Sequence, residues 1–267
     1  MLDNFIPNKS YAIVSGYDRN GNIVAVLGGV IYHKNTIELF FPKSNPFTVS
    51  QAVTFHLDNR TGVEEIDPEM RVYRTSIKAK VIKSEGLSIF VELIEYELKF
   101  SNTIVDSYKA ADYQFPTDTR SEIELEEAVF SKEIVFNDKE KDNKLGVLIT
   151  KAIERPHTTV MAFISSIEDD IYIISHSGSF KSKNIRRDKN CVFAIDHRAT
   201  YLFTKAIDWN YTLIKGTFKK VSKDNEMFPL LQAKFVEKNP WEFSFFTDDK
   251  VEMYQIKAEE ILCPEKY

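Results

Sequence analysis

The residues best suited to chemistry lie in one run of the chain, Ile171–Asp196. Its pattern predicts a strand, a polar turn rich in serine, a short basic helix and a second strand. Lys181 stands at the predicted helix start, where unpaired backbone N–H groups and the positive end of the helix dipole attract anions. Since the lysine adds a full positive charge, the run predicts a phosphate-binding site. The alternative is a basic helix face, from Lys181 to Lys189, that only faces solvent.

Composition and charge argue against several other classes of protein. The formal net charge is −5, whereas nucleic-acid binders usually carry a basic excess, so we expect no nucleic-acid partner. The two cysteines, Cys191 and Cys263, have no metal-ligand or redox spacing, so we expect no metal site. We find neither a signal-peptide pattern nor an apolar run long enough to span a membrane. Together with free thiols, this predicts a cytoplasmic protein that does not bind membranes.

Short apolar segments separated by turn residues dominate the chain, which predicts an all-β protein with a few helices. The capping-box pattern Ser121-Glu-Ile-Glu124 predicts a helix from Ser121 to about Phe130. Other helices are expected at Phe47–Gln51, Lys181–Asp188 and Asn225–Lys238. We therefore divide the chain into a barrel-like unit over residues 1–116, a helix and polar linker over 117–144, and a second barrel unit over 145–267.

The two halves have similar patterns, which predicts a duplicated unit. The segment Ala52–Asp58 matches Asn190–Asp196, and Thr75–Val81 matches Thr212–Phe218. The spacing between the matched segments differs by a single residue. The alternative is that any two β-meanders share such a hydrophobic pattern.

Three segments of the second half resemble the pyridoxamine 5′-phosphate oxidase-like FMN-binding split barrels. Arg155–Phe163 resembles the second strand of that family, Ile171–Ser177 its third strand, and Ser179–Asp188 its helix motif. The first half resembles the same superfamily more faintly. The resemblance implies an FMN-binding split β-barrel fold with two tandem barrel-like units.

The resemblance also implies which residues hold the FMN. Residues of the turn and helix start would bind its phosphate, second-strand residues would line the isoalloxazine ring, and residues ending the third strand would lie near the ribityl chain. In that order, these are Ser179, Lys181 and Ser182; Thr158, Thr159, Val160 and Met161; and Ser175, His176 and Ser177. No catalytic residue is assigned.

The activity that the resemblance implies is a flavin-dependent oxidoreductase acting on an unidentified small molecule. Hydride would pass between the flavin and that substrate or a nicotinamide donor. The alternative is a non-enzymatic barrel that stores flavin or haem, or a dimerisation module whose catalytic site has decayed.

Flavoproteins of this family usually form dimers, so the resemblance implies a homodimer or an intramolecular pseudo-dimer. In the first half, Phe41–Asn45 stands where the second half has its phosphate turn. Pro42 and Pro46 replace the basic helix there, so we expect one competent flavin site.

Overall fold

A computed structural model of the chain describes residue 2 and residues 9–32, 36–59, 72–101, 103–130, 133–138, 143–196 and 211–262. Cys263 and residues 139–142 of the expected linker lie outside these ranges. The described residues fall into two compact units. The first contains residues 9–59, 72–118 and 152–159, and the second contains residues 119–151 and 160–262.

Strands build the first unit. They are Lys9–Tyr17 (β1), Ile23–Tyr32 (β2), Ile37–Phe40 (β3), Ala52–Asp58 (β4), Tyr73–Glu85 (β5), Ser88–Phe100 (β6) and Thr103–Lys109 (β7). The sheet order is β3-β2-β1-β4-β5-β6-β7, and β3 also pairs with β6. Because of this last pairing, six strands close into a barrel, and β7 extends the sheet beyond β6.

The other described elements are seven strands and two α-helices, which lie in the second unit except for residues 157–159 at the start of β9. The strands are Leu145–Thr150 (β8), His157–Ala162 (β9), Ile164–Ser165 (β10), Ile171–His176 (β11), Asn190–Asp196 (β12), Tyr211–Val221 (β13) and Val251–Leu262 (β14). The helices are Phe180–Ile185 (α1) and Phe228–Lys238 (α2), and a 3-10 helix covers Pro240–Thr247.

The second unit repeats the strand order of the first. Its order is β10-β11-β14-β13-β12-β8-β9, and only Phe163 separates β9 from β10 along the chain. In the match, β8 corresponds to β1, β9 with β10 to β2, and β11 to β3. The strands β12, β13 and β14 correspond to β4, β5 and β6. Every strand pairing of the first barrel then has a counterpart in the second unit.

Individual residues agree with this match. Phe55 lies opposite Ile77 in the first unit, and Phe193 lies opposite Ile214 in the second. The register shifts at the matched position in both units, after Lys78 in β5 and after Lys215 in β13. The predicted fold class, all-β with a few helices and two tandem barrel-like units, is confirmed.

Alternation along each strand places one set of side chains in the core of each unit. Phe55 lies in the core of the first unit. Its counterpart Phe193 lies in the core of the second, next to Cys191 and Ile195. Cys191 is a buried free thiol, and burial raises the pKa of this thiol.

Residues 152–159 cover polar groups on the outer surface of the first barrel. Tyr17 donates its hydroxyl to the Ala152 carbonyl (2.6 Å), and Thr54 donates to the Pro156 carbonyl (2.7 Å). The hydroxyls of Ser76 and Thr158 lie 2.6 Å apart. Since these groups are buried or half-buried, their hydrogen bonds offset the cost of removing them from water.

The helix expected over Ser121–Phe130 is wrong. The described residues of this segment form no helix, because their backbone groups pair with distant parts of the chain. Ile123 N donates to Arg186 O (2.7 Å), and Ala128 N donates to Lys220 O (2.8 Å). A local capping pattern cannot compete with such tertiary hydrogen bonds.

The short helix expected over Phe47–Gln51 is also wrong. The segment forms a turn, in which Asn45 Oδ1 accepts from Phe47 N (2.9 Å) and Val81 N donates to Gln51 O (2.9 Å). The other two predicted helices are present but shorter, at Phe180–Ile185 and Phe228–Lys238.

None of the helices in the described part of the chain is both long and apolar enough to cross a membrane.

Gly216 offers a test of the register shift in β13. A Cβ at this position would overlap the backbone carbonyl oxygen of Lys257 on β14. Because that oxygen belongs to a paired strand, it cannot move without disturbing the pairing of β13 with β14. We expect Gly216→Ala to lower the free energy of unfolding by about 1–3 kcal/mol, measured by urea denaturation.

The matched control is Ala79→Gly at the equivalent position of β5. It changes the same chemical group in the opposite direction, and we expect a cost of only about 0.5–1 kcal/mol. A Gly216→Ala protein as stable as the wild type would contradict the described register.

Candidate functional site

Hydrogen bonds to the backbone of Ser177 hold the turn between β11 and α1, where the sequence predicts the phosphate site. Ser177 N donates to Lys250 O (2.8 Å), and the Arg186 side chain donates from Nη2 to Ser177 O (2.9 Å). On the inner side of α1, Ile185 is fully buried in the core, and Asn184 Nδ2 donates to Thr150 Oγ1 (3.2 Å). The turn is therefore held by hydrogen bonds at Ser177 and by the packing of α1 against the core.

Three predicted site residues, Ser175, Ser179 and Ser182, come together as a serine cluster. The Ser182 Oγ lies 2.7 Å from the Ser175 Oγ and 3.0 Å from the Ser179 Oγ, and the Ser175 and Ser179 oxygens lie 3.1 Å apart. Ser179 is also the N-cap of α1, since its hydroxyl oxygen accepts from Ser182 N (3.2 Å).

The donors and acceptors among the three hydroxyls can be assigned because the His176 carbonyl oxygen can only accept a hydrogen bond. Ser182 donates its proton to the His176 carbonyl (3.0 Å), so its oxygen accepts from Ser175 and Ser179. Ser175 and Ser182 are both buried, whereas Ser179 is half-buried. If the Ser179 proton turns outward, the Ser182 oxygen keeps its bond from Ser175. Ser179 is thus the member of the cluster that can bond a ligand without leaving a buried group unpaired.

His176 ends β11 with an exposed ring. Its Nδ1 accepts from Gly178 N (3.0 Å), which tightens the turn, and its Nε2 lies 3.9 Å from Asp248 Oδ2. The imidazole therefore hydrogen-bonds the backbone of the turn through Nδ1, and its Nε2 faces a carboxylate at a longer distance.

Lys181 is half-buried at the start of α1. Burial lowers the pKa of its ammonium group, and the nearby Glu242 carboxylate counteracts that shift only in part. Conversely, burial raises the pKa of Glu242, and Lys181 partly opposes that change. Both groups therefore lie where partial burial disfavours their charged forms.

The second-strand residues lie in three different environments. Thr158 is buried and bonded to Ser76, as described above, while the Thr159 hydroxyl lies 2.9 Å from His157 Nε2. Val160 is half-buried, and Met161 packs in the core of the second unit with 8% exposure. Half-buried Thr159 and Val160 are therefore more accessible to a ligand than Thr158 and Met161.

Arg155, which precedes β9, belongs to the first unit and is 2% exposed. Its guanidinium stacks 4.9 Å from the centre of the Tyr113 ring, and its Nη2 lies 3.6 Å from Glu95 Oε1. These contacts explain why a charged group can be buried there.

The first unit has no helix at the position of α1 in its described residues. Phe41 and Phe47 are buried there instead, with ring centres 5.5 Å apart. Asn45, from the segment compared with the phosphate turn, bonds Ser84 Oγ (2.8 Å). Aromatic packing thus replaces the serine cluster.

Acidic residues contact the basic side chains that follow α1. Glu122 Oε2 lies 3.6 Å from Arg186 Nε, and Glu126 lies 3.1 Å from Lys189 Nζ and 3.3 Å from Lys219 Nζ. These lysines lower the pKa of the Glu126 carboxyl. The basic face is therefore partly neutralised within the chain.

The sequence did not reveal Glu242 or Asp248 as neighbours of the site. Both follow α2 along the chain, and no local pattern links them to the turn after β11. The described residues contain no group of three or more His, Cys, Asp or Glu side chains able to hold a metal ion.

Comparisons with known proteins extend only to structures. No family model and no curated protein matches the chain. The haem-storage protein HutZ from Vibrio cholerae is similar over 45% of this chain and 85% of its own, with 13% identity and a TM-score of 0.39. A putative pyridoxamine 5′-phosphate oxidase from Listeria innocua is similar over 46% of this chain and 90% of its own, with 16% identity and a TM-score of 0.33.

A third structure, an FAD-binding protein from Mesorhizobium loti, is similar over 45% of this chain and 83% of its own, with 13% identity and a TM-score of 0.36. The similarity to each protein thus covers about half of this chain.

The hydrogen-bond arrangement predicts unequal roles for two serines. Ser182→Ala removes one of the two donors to the His176 carbonyl and the acceptor for two hydroxyls, so we expect a loss of about 1–3 kcal/mol in the free energy of unfolding. Ser179→Ala removes a helix cap, for which we expect a loss of about 1 kcal/mol. Urea denaturation of both variants checks the order, with exposed Ser244→Ala as the control. A larger loss for Ser179→Ala would contradict the assigned donors.

Proposed function

We propose that this protein binds FMN through its second unit, with Lys181 and Ser179 at the phosphate. The observation that carries the proposal is the position of Lys181, a half-buried ammonium group at the turn that also presents the Ser179 hydroxyl. An ammonium ion and a hydroxyl are suitable donors to a phosphate dianion.

The residues fit the phosphate group in charge and in hydrogen-bonding capacity. Lys181 offers three N–H donors. Ser179 can turn its proton toward a ligand while the Ser182 oxygen keeps its hydrogen bond from Ser175. Ser175 and Ser182 support the proposal indirectly, because they hold the turn that positions these two residues. His176 and Ser177 are proposed to border the ribityl chain. Among the second-strand residues, Thr159 and Val160 are proposed to contact the flavin ring.

Bound FMN would supply hydride chemistry, while the protein would position the ring and hold the phosphate. We propose a flavin-dependent oxidoreductase that acts on a small molecule in the cytoplasm, with a nicotinamide as electron donor. The buried free thiol of Cys191 suits that reducing compartment. A protein that binds FMN but is not reduced by NADH or NADPH would instead be the non-enzymatic alternative, a flavin-storage barrel.

The direct experiment is the visible spectrum of the purified protein before and after addition of FMN. We expect flavin absorption bands that remain with the protein during gel filtration. Light scattering on the same sample distinguishes a homodimer from a monomer. A colourless protein that retains no added FMN would overturn the proposed function, and retention of haem alone would favour the haem-binding alternative.

Replacement of Lys181 tests the phosphate contact. We expect Lys181→Ala to weaken FMN binding by about tenfold to a hundredfold, because a hydrogen bond to a charged group contributes about 1.5–3 kcal/mol. Riboflavin, which lacks the phosphate, should bind both proteins equally. Fluorescence titration measures both affinities.

The matched control is Lys183→Ala, which removes the same charge from an exposed position on α1. We expect it to leave the FMN affinity within about twofold of the wild type, since an exposed charge is screened by solvent. Equal losses in the two variants would show that net charge matters and the Lys181 contact does not.

A further inference from the structure

Two side chains hold the peptide group between Ser177 and Gly178, in the turn after β11. The Gly178 N–H donates to His176 Nδ1 (3.0 Å), and the Ser177 carbonyl oxygen accepts from Arg186 Nη2 (2.9 Å). Because the next residue along the chain, Ser179, is the N-cap of α1, a rotation of this peptide group would move the cap hydroxyl. The position of that hydroxyl therefore depends on Arg186.

Two carboxylates lie near the Arg186 guanidinium. Glu252 Oε2 lies 3.7 Å from Nη1, and Glu122 Oε2 lies 3.6 Å from Nε. Their burial differs, since the Glu252 side chain is 24% exposed and the Glu122 side chain is 56% exposed. Because solvent screens an exposed ion pair, Glu252 is the stronger partner of the two.

The Glu252 carboxylate is itself held by a buried tyrosine. The Tyr254 hydroxyl donates to Glu252 Oε2 (2.5 Å), and the Tyr254 ring packs 5.9 Å from the Phe218 ring in the core. Burial and the contact with Glu252 raise the pKa of Tyr254, so its hydroxyl keeps the proton that it donates. The other carboxylate oxygen, Oε1, lies 3.4 Å from Lys220 Nζ. A residue of the core thus fixes the carboxylate that pairs with Arg186.

We propose that Glu252 is a positioning residue for the phosphate site: it holds Arg186, and Arg186 keeps the turn in the form that presents Ser179 and Lys181. This inference rests on the proposed function, since it concerns the same turn. Glu252 lies opposite Ser175 in the pairing of β14 with β11, so its side chain is on the face of the sheet that carries the serine cluster. Glu252 acts through Arg186 and does not touch the ligand.

Glu252→Gln tests this role, because the amide keeps the size of the side chain and can still accept from Tyr254 but no longer attracts Arg186. We expect FMN to bind about threefold to fivefold more weakly to this variant, at the upper end of what a partly exposed ion pair contributes. Riboflavin, which lacks the phosphate, should bind as it does to the wild type. Loss of a negative charge by itself would tighten FMN binding, so the sign of the change separates positioning from simple repulsion. Fluorescence titration measures both affinities.

The matched control is Glu122→Gln, which removes the other carboxylate beside the same guanidinium and changes the net charge equally. We expect it to leave both affinities unchanged, since Glu122 is exposed. Arg186→Gln should weaken FMN binding at least as much as Glu252→Gln, and the double variant should bind FMN as Arg186→Gln does. Unchanged or tighter FMN binding in Glu252→Gln, an equal loss in Glu122→Gln, or losses that add in the double variant would each overturn the inference.

Hydrogen exchange separates this inference from the proposed function, because it needs no bound flavin. In Glu252→Gln we expect faster exchange of the backbone N–H groups of residues 177–182, with no change in β12. Tyr254→Phe leaves the charge of Glu252 in place and removes the hydroxyl that holds it, so we expect the same local increase in this variant.

If the wild type binds no FMN, the proposed function fails, and hydrogen exchange still decides the inference. Faster exchange that is confined to residues 177–182 supports the positioning role. Exchange that is unchanged in these residues, or that rises equally in β12, overturns it. For a Glu252→Gln protein that does not fold, the same outcomes are read from Tyr254→Phe.

Discussion

The hydrogen bond from the Ser182 hydroxyl to the His176 carbonyl (3.0 Å) holds the turn on which the candidate site is built. The same carbonyl oxygen also accepts from the Ser179 backbone N–H (3.0 Å). Because one donor comes from the N-cap and the other from inside α1, the start of the helix is fixed relative to β11. The remaining hydroxyl protons of the cluster then have defined acceptors, and Lys181 is placed at the same turn.

The two units show two ways to fill the same position of one strand order. In the second unit, a short helix presents polar groups outward and buries Ile185. In the first, Phe41 and Phe47 fill the space by aromatic packing, and Asn45 closes the turn with its side chain. Since the barrel core is complete in both cases, the fold does not require a binding site there. Loss of the helix in one copy therefore need not have destabilised that copy.

The strands could be predicted from sequence because branched and aromatic residues alternate along them, and the matched pairs Phe55 with Ile77 and Phe193 with Ile214 lie opposite each other as the spacing suggests. The helix at Ser121 could not be judged locally, since its backbone bonds reach Arg186 and Lys220. Likewise, the serine motif identified the turn after β11, but the Glu242 carboxylate approaches it through tertiary structure. Sequence patterns report local preference, and the electrostatics of the site depend on contacts between distant segments.

The eight residues 152–159 belong to the first unit although they follow the linker and β8 in sequence. Tyr17 and Thr54 bond their backbone carbonyls, and Thr158 bonds Ser76. Segments of the two units therefore alternate along the sequence, and no single cut of the chain yields two whole units. A fragment ending at residue 144 would expose the hydroxyls of Tyr17 and Thr54 to water. Dissection of this protein into independently expressed halves would need a first fragment that carries these eight residues as well.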